Sequence, residues 1–142
     1  MNNTYTPLDD FDRGRMARTF VNGEETPADT GSIIGAGGIY STAEDLCRFG
    51  QAYMSSPGFL PAAGLLSPDA KAMTMQKEYK RGFGPDQMEG LFGYGLGWDS
   101  VDAFPYSQYN IQSLIKGGDT QLYHGSMIVL PEYNMVFAAL MS

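Results

Sequence analysis

The chain has 142 residues, of which 43% are hydrophobic and 18% charged, a composition that excludes a disordered polyelectrolyte and suits one domain. Its formal net charge of −7 argues against nucleic acid and anionic membrane as partners, because phosphate groups would repel it. The longest apolar run near the C-terminus, 136–141, is far shorter than the ~20 residues of a membrane span, and no signal peptide is visible at the start. One cysteine and one histidine cannot supply a zinc site of the usual kind, so we expect no metal and no cofactor.

The N-terminal part of the chain is predicted to contain an arm and a helix. Residues 1–32 are polar and irregular and predict a solvated arm, with at most a short helix over 11–18. Ser41 and Glu44 have the spacing of a capping box, and apolar residues at helical intervals follow them. This helix places Cys47 on its buried face, where an inert thiol is expected.

A second helix is predicted to begin with Ser67 as its N-cap and Pro68 in its first turn, and to end near Gln76. The charged, glycine-rich segment 77–90 indicates a loop. Large residues alternate with glycine over 93–98, which predicts a strand with one bulky and one bare face.

Three further strands are predicted in the remaining chain. The apolar segment 111–115 is expected to end at Gly117-Gly118, and 122–130 and 135–141 are expected to pair through a four-residue hairpin loop at 131–134. Helices followed by antiparallel strands indicate an α+β fold.

The predicted architecture is an antiparallel sheet of about three to five strands in the C-terminal half, packed against helices from the N-terminal half. We interpret 1–142 as a single partial domain, with a helical and loop region at 1–90 and antiparallel strands at 91–142.

The charge distribution singles out Lys116. It is the only Lys or Arg after Arg81, in a stretch that carries six acidic residues. An isolated ammonium followed by Gly117 and Gly118 suits an anion site, because a ligand could approach the bare backbone. The alternative is a strand-end lysine that simply reaches solvent.

Two other patterns are weaker candidates. Ser113 and Lys116 have the S-x-x-K spacing of some acyl-transfer enzymes, but residues three apart on a strand point to opposite faces, so we reject Ser113 as a nucleophile. His124 and Ser126 share a strand face, and without a visible third member this pair indicates a structural role.

Several segments together resemble a known family. Residues 35–46, GAGGIYSTAEDL, are similar to the GGxxSTAxDLxRF segment of the serine β-lactamase and penicillin-binding-protein-like hydrolases of class C type. Residues 94–98, YGLGW, match a strand of that family, and Lys116-Gly117-Gly118 resembles its third active-site motif, K-[ST]-G or H-x-G. The Pro-Glu pair near 131 and the opening MNNT match its PE hairpin and the end of its PLGMxxT segment.

The resemblance implies that Lys116 binds a substrate carboxylate and that the backbone N–H of Asp119 is one oxyanion-hole donor. It implies a small-molecule or peptide substrate and an extracytoplasmic bacterial location, whereas the residues themselves do not indicate a compartment. Gly117 stands where many relatives have Thr or Ser, so β-lactams, peptides and esters all remain open as substrates.

The family's nucleophilic S-x-x-K and its Y-x-N or S-x-N motif have no usable counterpart in this sequence. The first hypothesis is therefore a C-terminal portion of such a serine hydrolase, without a complete catalytic set and inactive alone. The second is a non-catalytic binding or partner module that kept part of the fold.

The last predicted strand also implies an assembly. Met135–Met141 is apolar on both faces and lacks the Lys or Pro that normally protects a sheet edge. We expect it to pair with a second copy of the chain, or with a missing N-terminal half supplied in trans.

Overall fold

The computed structural model describes residues 1–27, 34–54, 65–78 and 93–142. In chain order these form β1 (Phe20–Val21), β2 (Glu24–Glu25), α1 (Ile34–Gly37), α2 (Ala43–Gly50), α3 (Pro68–Thr74), β3 (Leu114–Asp119), β4 (His124–Leu130) and β5 (Met135–Met141). Short 3-10 turns lie at Arg13–Arg15, Gln51–Tyr53, Tyr106–Tyr109 and Pro131–Tyr133. Most of the predicted loop 77–90 lies outside the described residues.

The main sheet has three antiparallel strands in the order β3-β4-β5, and β1 and β2 form a separate two-stranded hairpin. Leu114 pairs with Val129, which in turn pairs with Val136, and the ladder continues from there along all three strands. The predicted α+β fold is therefore confirmed.

The hairpin between β4 and β5 has the predicted four-residue connection. Pro131–Tyr133 makes a 3-10 turn, and Asn134 closes it with φ +52°, in the left-handed region that Asn tolerates well. This connection sets the register in which Leu130 faces Met135.

Two strand predictions were wrong. β3 does not stop before Gly117-Gly118 but runs through both glycines to Asp119, because Gly117 and Gly118 continue the ladder with Ser126 and Gly125. Pairing with a neighbouring strand here outweighs the low strand propensity of glycine.

The segment 93–98 is not a strand. Gly95 and Trp98 exchange backbone hydrogen bonds across a tight turn in which Gly97 has φ +83°. Trp98 is buried at 5% exposure, whereas Tyr94 is exposed, so the large residues do not share one face. A turn residue with positive φ breaks the alternation that the sequence suggests.

The structure also corrects the predicted start of α2 and the predicted helix in the N-terminal arm. The N-cap of α2 is Thr42, whose hydroxyl accepts a hydrogen bond from the Asp45 N–H, and not Ser41. Glu44 does not complete a capping box, because its carboxylate pairs with Arg48 at 2.6 Å. The predicted helix over 11–18 is reduced to the 3-10 turn Arg13–Arg15.

The second helix prediction holds at its start. Ser67 caps α3 through its hydroxyl, which accepts from the Ala70 N–H, and Pro68 opens the first turn. The helix ends at Thr74, slightly before the predicted end near Gln76.

The core lies between α2 and the inner face of the sheet. Buried Tyr53, Trp98, Leu114 and Val129 form its centre, and the rings of Tyr53 and Trp98 meet edge to face at 5.0 Å. Gly50 lets the helix approach, because a Cβ there would lie 2.7 Å from a methyl group of Val136.

We predict that Gly50→Ala lowers the free energy of unfolding by about 1 kcal/mol. The gain in helix propensity, about 1 kcal/mol, is smaller than the ~1–3 kcal/mol cost of overpacking a close contact. Chemical denaturation of the variant measures the change. Gly50→Ala combined with Val136→Ala should show favourable coupling, because both Val136 methyl groups are then gone and only the Val129 methyl at 3.0 Å remains close.

The matched control is Gly35→Ala in α1, where a Cβ meets nothing within 4 Å. This control should leave stability unchanged or slightly raised. Equal losses in both single variants would contradict the close contact between α2 and β5.

β5 is an edge strand among the described residues, and Met135, Phe137, Leu140 and Met141 are each more than 40% exposed. Its expected self-association stays a prediction. Light scattering at tens of micromolar should detect oligomers, and Phe137→Lys should shift them toward monomer because a charge on an edge strand opposes pairing. Tyr133→Lys, in the neighbouring turn, is the matched control. A wild-type monomer at that concentration would contradict the prediction.

Candidate active site

The free edge of β3 presents its peptide groups on the side away from β4. The Ile115 N–H donates to the Ser100 carbonyl at 2.8 Å, and the Ile115 carbonyl accepts from Ser100 at 3.3 Å, so the Ile115 peptide groups point outward. Because this direction repeats every second residue, Gly117 and Asp119 face the same edge. The edge therefore carries the backbone donors of the predicted motif.

Lys116 is held at this edge by an acid that sequence reasoning did not connect with it. Its ammonium donates to Asp99 Oδ1 at 2.8 Å and to the Gly117 carbonyl at 2.7 Å. The second oxygen, Asp99 Oδ2, accepts from the Gly117 N–H at 2.6 Å. Both side chains are 47% exposed. The lysine is thus neither a bare anion site nor a side chain that simply reaches solvent.

A cavity of about 500 Å³ opens beside β3. Lys116, Gly117, Gly118 and Asp119 all contribute to its wall, so the structure brings the four predicted residues together. Its other walls come from β4, α2, the end of β5, the N-terminal arm and Tyr40. The arm side is largely apolar, with Tyr5 and Phe11, but it also carries Asn3 and Arg15, and the wall along β3 is polar.

The aromatic wall of the cavity is built by the N-terminal arm. Tyr5 pairs with Tyr40 through two backbone hydrogen bonds of 2.8 and 2.9 Å. Phe11 stacks on Tyr5 with ring centroids 4.7 Å apart, and the guanidinium of Arg13 lies 4.9 Å from the Phe11 centroid. The arm, predicted to be solvated, is instead partly ordered against the domain.

Asp45 ties this arm to α2. Its side chain is fully buried and accepts from the Asn3 N–H at 2.7 Å, the Thr4 hydroxyl at 2.9 Å and the Asn2 N–H at 3.3 Å. Burial by itself would raise the pKa of Asp45, but these hydrogen bonds to the ionised form hold the pKa below its usual value of 3.8. Arg48 adds a contact to the same carboxylate at 3.3 Å.

Tyr123 ties the arm to the sheet at a second point. Its hydroxyl donates to the Ala17 carbonyl at 2.8 Å, and burial raises the pKa of the phenol. Both attachments shape the cavity, because Ala17 and Tyr123 belong to its lining.

His124 has the acidic partner that the sequence did not reveal. His124 Nδ1 lies 2.8 Å from Asp119 Oδ1, and the two residues face each other across β3 and β4. The sequence did not reveal this pair, because only the strand register places Asp119 opposite His124. Ser126 lies on the same face of β4, with no described hydrogen bond to His124.

The rejection of Ser113 as a nucleophile agrees with its surroundings. Its side chain is fully buried, and its hydroxyl accepts from the Ala103 N–H at 3.1 Å, whereas Lys116 is exposed. Cys47 is half-buried, with its sulfur 4.0 Å from the Val136 carbonyl. Neither residue is presented to the cavity.

Within the described ranges, no group of three or more His, Cys, Asp or Glu side chains is placed to hold a metal ion. The helices described here are all too short or too polar to cross a bilayer.

The whole chain, residues 1–142, matches the Beta-lactamase family model, and the chain belongs to that family. Neither the curated proteins nor the solved structures compared with it gave a match. The match supports a serine-hydrolase-like domain.

We predict that Asp45→Asn lowers the thermal midpoint at pH 7 and detaches the N-terminal arm, because an amide cannot accept the same set of bonds as a carboxylate. The pKa of Asp45 is lowered by folding, so its stabilisation is present above pH 4 and is lost as the pH falls through the lowered value. Stability measured between pH 7 and pH 2 should therefore fall less in the variant than in the wild type.

The matched control is Asp69→Asn, which removes an acid from the first turn of α3. It should leave the arm in place, as reported by limited proteolysis. An arm equally protected in Asp45→Asn and wild type would contradict this attachment.

Proposed function

We propose that this chain supplies the substrate-binding strand of a serine hydrolase of class C type, with β3 as that strand. The observation that carries the proposal is the placement of Lys116, Gly117, Gly118 and Asp119 along one wall of a 500 Å³ cavity, on the strand whose outer edge pairs with no further strand of the described sheet. An extended acyl compound can pair with such an edge through its own amide or ester groups.

The chemistry proposed for this wall is electrostatic. The N–H of Asp119 faces the edge and would donate to the oxygen that becomes negative as an acyl group is attacked. Lys116, which is already paired with Asp99, would add little net charge to the same region. The aromatic residues Tyr5 and Phe11 on the arm side of the cavity would take the hydrocarbon part of the substrate.

This sequence has no usable counterpart of the family's catalytic nucleophile. Its only S-x-x-K begins at Ser113, which is buried and hydrogen-bonded to the backbone. An acyl-enzyme needs an activated hydroxyl as well as an oxyanion site. We therefore propose that the chain is the C-terminal portion of the hydrolase and is inactive alone, with an extracytoplasmic bacterial location as part of the same proposal.

We predict no covalent labelling of the isolated chain by a fluorescent penicillin, since half an oxyanion site cannot trap an acyl group. Denaturing gel electrophoresis measures the label, with an intact penicillin-binding protein as positive control. Stoichiometric labelling of the chain would contradict the proposal. A Ser113→Ala variant would then show whether Ser113 is the labelled residue.

The second candidate function is a non-catalytic binding module. The Lys116–Asp99 ion pair favours it, because this contact occupies the group that the family uses for substrate. The coding sequence upstream of Met1 distinguishes the two. An in-frame S-x-x-K and Y-x-N there would support the hydrolase, and their absence would support the binding module.

A further inference from the structure

We propose that Asp99 determines substrate specificity by filling the carboxylate position at the β3 edge, so that the site takes neutral esters or amides and rejects free carboxylates. This inference rests on the proposed function of β3. It adds the substrate class, which the motif alone leaves open.

The geometry of Asp99 is that of a bound carboxylate ligand. Its two oxygens are used separately, Oδ1 by the Lys116 ammonium at 2.8 Å and Oδ2 by the Gly117 N–H at 2.6 Å. An anionic ligand bound at this edge would need the same two donors, the Lys116 ammonium and the Gly117 N–H. An incoming carboxylate therefore has to displace one that is already attached.

The backbone keeps Asp99 in this position. Its N–H donates to the Ile115 carbonyl at 2.9 Å, and the neighbouring Ser100 forms a bridge with Ile115. The Asp99 side chain thus reaches Gly117 from a segment that already pairs with β3.

The charge balance points the same way. Asp99 neutralises Lys116, the only Lys or Arg in the last 61 residues, and Asp119 adds a further negative charge to the cavity wall. A second anion would therefore meet no free ammonium on β3, and Arg15 on the arm side is, among the described residues of the cavity wall, the cation left to it. A neutral ester or amide needs no cation and can still accept from the Asp119 N–H, whereas the Gly117 N–H is already bonded to Asp99.

The experiment compares two probes that differ in charge, N-acetylalanine and its methyl ester, titrated into the ¹⁵N-labelled chain while the Gly117 and Asp119 amide signals are followed. In the wild type the ester should shift these signals at lower concentration than the acid. In Asp99→Asn the acid should bind up to about fivefold tighter, the factor that corresponds to ~1 kcal/mol, the upper end for a half-exposed ion pair. Ester binding should not change.

The matched control is Asp102→Asn, which removes an acid from another Lys–Asp pair, with Lys77, on the same segment. It should behave as the wild type. If Asp99→Asn does not fold, Asp99→Ser is the second variant, and a dispersed amide spectrum reports folding in each case.

Equal acid affinity in the wild type and Asp99→Asn would overturn the role of Asp99 and leave the proposed function of β3 in place. No response of Gly117 or Asp119 to either probe in any folded variant would overturn both, because β3 would then not be a ligand-binding strand.

Discussion

The close approach of α2 to the sheet is the constraint on which the other features depend. Gly50 leaves no side chain between the helix and Val136, so α2 lies directly on β4 and β5. That position places Asp45 in the first turn of α2, where its buried carboxylate accepts hydrogen bonds from the start of the N-terminal arm. The arm then closes the cavity opposite β3. Packing in the core thus shapes a cavity whose polar wall is formed by a different element.

The β3 edge combines the proposed substrate-binding segment with an acid that engages its lysine. Lys116 and the two glycines occupy a strand that borders the cavity. The ammonium is nevertheless engaged by Asp99, and Gly117 has no hydroxyl to offer a carboxylate. In the proposed specificity, both features would weaken anion recognition, through different residues. The Asp119 N–H would remain as the donor for a neutral acyl compound, because the Gly117 N–H is bonded to Asp99.

Sequence reasoning recovered the fold class, the β4–β5 hairpin and the start of α3, because these depend on local signals such as apolar runs, turn residues and a Ser-Pro cap. It missed the extension of β3 through Gly117-Gly118 and the turn at 95–98. The extension depends on partners distant in sequence, Ser126 and Gly125, whereas the turn depends on the positive φ of Gly97, which the alternation of large residues and glycine does not show. The four residues predicted for the site share one cavity wall, and their role stays a prediction. The Asp99–Lys116 and Asp119–His124 contacts follow only from strand pairing, which no periodicity in the chain reveals.

The central claim is that the Asp99 carboxylate is bonded to the Gly117 N–H on the open edge of β3. The most direct measurement is the scalar coupling across that hydrogen bond, between the Gly117 amide nitrogen and the Asp99 carboxyl carbon, in the ¹³C,¹⁵N-labelled chain. A resolved cross-peak, together with slow exchange of the Gly117 amide, is the predicted result. The absence of coupling, with the Gly117 amide exchanging as fast as in an unstructured peptide, would contradict it.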